Sequence, residues 1–85
     1  MSTFPSEKEI KLALKAAAKA HHEFQENTLN GIRHEKWAMW YAAYVLGRLN
    51  DFTTPTLLTQ WLLEVQDEDW FRKTPIHILN KLQAA

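Results

Sequence analysis

Residues 21–48 read HHEFQENTLNGIRHEKWAMWYAAYVLGR. Three of the four histidines, two of the four tryptophans and both tyrosines fall in this third of the chain. Their spacing decides between a site and a core. Residues 27–31 interrupt the stretch, and Asn30 and Gly31 tolerate a left-handed backbone, so one helix ends there and a second follows. Upstream, at about 100° per residue, Ile10, Ala13, Leu14, Ala17, Ala20, His21 and Phe24 share an arc of about 120°. His21 therefore lies near the middle of a buried face. His22 points about 130° away, on the outer side with Ala18, Glu26 and Leu29. The alanines at 13, 17 and 20 let a neighbouring helix come close.

Downstream, His34, Trp37, Tyr41, Tyr44 and Arg48 recur at spacings that place them on one helical stripe. Met39, Ala42, Leu46 and Leu49 form the opposite side, and Trp40 and Val45 flank the stripe. A helix that is apolar on both sides is covered on both sides. The second helix is thus expected at the centre of the fold.

The flanking sequence supplies start signals. Ser6-Glu7-Lys8-Glu9 has the form of a capping box, which predicts a first helix over 7–27. The second is expected over 34–49, with Asn50-Asp51 as its exit. Thr54-Pro55 and Thr74-Pro75 each pair an N-cap residue with a proline suited to the first helical position. They predict helices over 55–66 and 75–83. The two Thr-Pro starts read as convergent capping rather than as a repeat. Leu58, Trp61, Leu62 and Val65 make the apolar face of the third helix. Leu57 and Leu63 fall off it, which suggests more burial than four helices provide. Trp70 and Phe71, in a short charged bridge, are expected to plug that bridge onto the core. The result is an all-α, compact four-helix bundle, one domain over 1–85, with an aromatic-rich second helix.

Bulk properties narrow the functional classes. A chain of 85 residues buries only about 60–65% of its unfolded surface, so its stability margin is thin. It has no cysteine, which excludes disulfides and thiolate metal sites and fits a cytoplasmic protein. Ten basic residues balance ten acidic ones, which leaves no electrostatic footprint for nucleic acid or an anionic membrane. No apolar run approaches the roughly 20 residues of a membrane span. Met1 to Lys8 lacks a signal-peptide pattern.

The segments HHEFQENTLNG and HEKWAMWYAAYVLGRL, within residues 15–63, resemble a family of small, uncharacterised bacterial helical proteins. That family shows a histidine–glutamate helix, a glycine turn, then an acidic residue followed by x-x-Trp-x-x-Trp-Tyr-Ala. The matching positions are His22, Glu26, Gly31, Trp37, Trp40, Tyr41 and Ala42. Where the family has an aspartate before the first tryptophan, this chain has His34. The resemblance implies a soluble helical protein of bacterial origin and no particular activity.

Candidate sites stand beside plainer readings. His21 is expected to be a core histidine bonded to Tyr41 or Tyr44, since a buried polar group needs a partner; a metal ligand is the alternative. His22 and Glu26, one turn apart, can reach one ion. Zinc would suit them if His34 or Glu35 completed the set. Trp37, Tyr41, Tyr44 and Arg48, with His34, could line a pocket for a planar or anionic ligand. The plainer reading is core, with Arg48 paired to Glu23 or Glu64. His77 is expected to be exposed or capping. No nucleophile–base motif or phosphate loop is present, so catalysis is not expected. The reading favoured is a non-enzymatic, self-associating module. Its expected form is a homodimer through helix 2 or 3, with Trp40, Tyr44 and Trp61 as anchors. The alternative is a small-ligand or metal-binding protein using the His22/Glu26 and Trp37/Tyr41/Arg48 region.

Overall fold

The computed structural model describes residues 4–27 and 36–84. The described elements are four helices: α1 (Glu7–Asn27), α2 (Trp37–Arg48), α3 (Pro55–Glu64) and α4 (Trp70–Ala84). The predicted turn at Asn30 and Gly31, and a helix start at His34, lie outside the described residues.

The capping box forms at the head of α1. The Ser6 N–H donates to Glu9 Oε1 at 2.9 Å, and the Glu9 N–H donates to Ser6 Oγ at 3.1 Å. Together they satisfy two backbone donors that the first turn leaves without helical acceptors. Thr54 caps α3 in the same spirit: its Oγ1 accepts from the Leu57 N–H at 3.2 Å, and Pro55 takes the first helical position. α3 stops two residues before its expected end, where Val65 turns to extended backbone.

α4 departs from expectation. It begins at Trp70, not Pro75, so Pro75 lies inside the helix. The chain is turned into α4 by the acidic bridge instead. The Asp69 N–H donates to Asp67 Oδ1 at 2.9 Å, and the Asp69 carbonyl accepts from the N–H groups of Arg72 and Lys73. Trp70 and Phe71 then fall in the first turn and pack against the core. Pro75 has no N–H, so the Phe71 carbonyl loses its helical partner. Thr74, freed from capping, is fully buried, and its Oγ1 has no hydrogen-bond partner.

Each helix packs on its neighbours in chain order, and α4 closes the ring on α1. Inside the ring lie Ile10, Leu14, Val45, Leu58, Leu62 and Ile78, all with no exposed surface. Ala13 and Ala17 of α1 and Ala42 of α2 are buried with them, small enough for backbones to approach. Trp61 is also in this core, 6% exposed. It is therefore not available as the dimer anchor that the sequence suggested.

Candidate functional site

The functional candidates gather on α2, which has three sides rather than the two read from the sequence. Ala38, Ala42, Val45 and Leu46 face the core. Trp37, Trp40, Tyr41 and Tyr44 form a half-buried aromatic side. Met39, Ala43 and Gly47 form an exposed side. Met39 was expected to be buried with Ala42 and Leu46. It sits about 75° from the centre of the buried set, and 59% of it is exposed.

The aromatic side is joined ring to ring. His21 is buried and meets Trp40 and Tyr41 edge-on, with centroids 5.2 and 5.3 Å away. Phe24 of α1 stacks on Trp40 at 6.0 Å, and Trp40 stacks on Tyr44 at 5.5 Å. Trp37 meets Tyr41 edge-on at 5.2 Å. From α4, Trp70 reaches across to Trp37 at 5.7 Å and Tyr41 at 6.0 Å, and donates its Nε1–H to the Leu62 carbonyl of α3 at 3.2 Å. One side chain thus ties three helices. Burial pushes the Tyr41 hydroxyl above its ordinary pKa, because the phenolate would lose its hydration.

His22 and Glu26 are exposed on the outer face of α1. Among the described residues, no group of three histidine or acidic side chains could hold a metal. The expected further ligands, His34 and Glu35, lie outside the described residues. Arg48 does not pair with Glu23 or Glu64: it is exposed and makes no ion pair among the described residues.

Glu64 is instead held by α4. His77 Nε2 lies 2.7 Å from Glu64 Oε1, Lys81 Nζ lies 3.9 Å away, and Gln60 Nε2 donates to Oε2 at 3.3 Å. His77, expected to be exposed or capping, is thus the nearer of Glu64's two partners from α4. Its hydrogen bond, then that of Gln60, holds the Glu64 carboxyl below its ordinary pKa. The signal was present in the sequence: Gln60 and Glu64, like His77 and Lys81, are one turn apart and can form a facing pair. Asp67 is held low in the same way, first by Lys73 at 2.7 Å and then by the Asp69 N–H.

The sequence also gave no hint of a groove of about 330 Å³ between α2 and the head of α3. It is lined by Met39, Ala43, Pro55, Thr56 and Thr59. A Cβ added at Gly47, one turn beyond Ala43, would meet nothing within 4 Å. No helix among the described residues is long and apolar enough to cross a membrane. Compared with protein-family models, with curated proteins and with solved structures, the chain matches none.

Proposed function

We propose that the protein is a non-enzymatic binding module that self-associates as a homodimer, and that the α2–α3 groove is the face it uses. The observation that carries this reading is Met39, 59% exposed at the edge of an apolar groove. Methionine is unbranched and polarizable, which suits a surface that must fit against another. The small residues Ala43 and Gly47 on the same stripe permit close approach of a second helix. Glycine inside a helix costs about 0.5–1 kcal/mol relative to alanine, and packing within one chain does not require it at position 47. The exposed side chain of Leu63, two turns beyond Thr56 on the same side of α3, extends the apolar surface along this face. A symmetric pairing is the commonest way to cover such a surface. The cysteine-free composition and the family resemblance support a bacterial cytoplasmic setting.

Light scattering coupled to size exclusion at micromolar concentration tests the reading. The expected species is twice the 10.0 kDa chain, and Met39→Glu should return it to one chain by burying a charge in the interface. A wild-type protein that stays a single chain at every accessible concentration would overturn it.

A further inference from the structure

We propose that Phe24, Trp40, Tyr44 and Arg48 form a binding site for a small planar aromatic anion, separate from the α2–α3 groove. The aromatic side of α2 contains two kinds of ring contact. Trp37, Tyr41 and Trp70 meet edge to face, with interplanar angles of 73° to 82°. Such contacts fill space and close on themselves. Phe24, Trp40 and Tyr44 are instead near-parallel, at 26° and 16°. A parallel row presents flat faces on which a further ring can stack.

The row has a fixed base and is only partly covered. His21 and Tyr41 meet Trp40 edge-on at 5.2 and 6.4 Å, and His21 is buried beneath it. Phe24, Trp40 and Tyr44 are each only half-buried. Trp40, Tyr44 and Arg48 follow at intervals of four residues, so the row runs along α2 toward the guanidinium. Arg48 lies about 6 Å beyond Tyr44 along the helix axis. It is exposed and has no carboxylate partner among the described residues. A guanidinium both stacks on rings and takes an anionic oxygen in its fork.

This geometry defines the ligand. One aromatic ring system continues the row past Tyr44, and a carboxylate, sulfonate or phosphate about one helical turn away meets Arg48. The balance of ten basic and ten acidic residues gives no field for a polyanion, so the fit is to a small molecule rather than to a nucleic acid strand.

Naphthalene-2-sulfonate is the probe, with 2-naphthol as its uncharged counterpart. A ligand of this size on an open surface binds with a Kd of about 1 mM. Titration followed by nuclear magnetic resonance should shift the Trp40 indole N–H and the Arg48 Nε–H and leave the Met39 methyl unmoved. Arg48→Gln, at an exposed position, should weaken binding about fivefold, and 2-naphthol should bind about fivefold more weakly than the sulfonate. Trp40→Leu should abolish the shift at Arg48; folding of that variant is checked by the dispersion of its other amide signals. Equal binding of sulfonate and naphthol, an unchanged affinity in Arg48→Gln, shifts centred on Met39, or no shift by about 10 mM probe would each overturn the proposal. None of these readouts depends on whether the protein dimerises through the groove.

Discussion

The two Thr-Pro pairs have the same local chemistry and opposite fates. Thr54-Pro55 begins a helix: Thr54 is exposed, its hydroxyl accepts from the Leu57 N–H, and Pro55 stands where no N–H is needed. Thr74-Pro75 lies in the second turn of α4, where the threonine hydroxyl is buried without a partner and the proline removes a helical bond. The difference comes from what precedes each pair. Before Thr54 the chain offers Asn50, Asp51 and Thr53, with only Phe52 to bury. Before Thr74 it offers Trp70 and Phe71, and docking both rings on the core extends the helix back past the proline. A start signal is therefore a local preference of about 1 kcal/mol, and two aromatic rings outweigh it.

This comparison can be broken at its cause. Trp70→Ala removes the contacts with Trp37, Tyr41 and Phe71 and the bond to the Leu62 carbonyl. It should destabilise the fold by about 3 kcal/mol, a large share of what an 85-residue domain holds. Without that anchor, α4 should shorten toward Pro75, and amide hydrogen exchange over residues 70–74 should speed up. Protection unchanged in that segment would mean that the acidic bridge, not Trp70, sets the helix start.

A single substitution made at both threonines sharpens it. Thr54→Val takes the acceptor from the Leu57 N–H and should cost about 1 kcal/mol in urea denaturation. Thr74→Val replaces a buried, unpaired hydroxyl with a methyl of similar shape. Helix propensities of the two residues are close, so relief of the unpaired group should raise stability by up to about 1 kcal/mol. Opposite signs for one substitution are the expected outcome. A loss at both sites would show that the Thr74 hydroxyl is satisfied in solution.

Much of this fold was legible because it rests on short-range rules. The capping box at Ser6, the cap at Thr54, the burial of His21 and the packing of Trp70 and Phe71 each follow from spacing within a turn or two. The head of α4 was not legible, because Thr74-Pro75 looks locally like Thr54-Pro55 and only tertiary packing separates them. Met39 was misplaced for a related reason. It lies at the edge of the apolar arc of α2, and whether an edge residue is covered depends on where the neighbouring helix ends. Pro55 begins α3 beside Met39, and the groove opens there. The Glu64–His77 pair was missed because it joins two helices whose phases must both be right before their polar faces can be matched. Of the candidate site, the ring positions on α2 were readable and their mutual angles were not, since stacking depends on how α1 delivers Phe24.

The closing contact of the helix ring joins α1 to α4, the first and last of these four helices to be made. Translation adds about 5–20 residues per second, so some 50 residues separate the completion of α1 from the arrival of Ile78 by about 3 to 10 s. Until then Ile10 and Leu14 have no covering partner from α4. The alanine- and lysine-rich sequence of α1 suits such a wait: its own helix propensity is high, and its lysines keep the nascent segment solvated while its final neighbour is still being made.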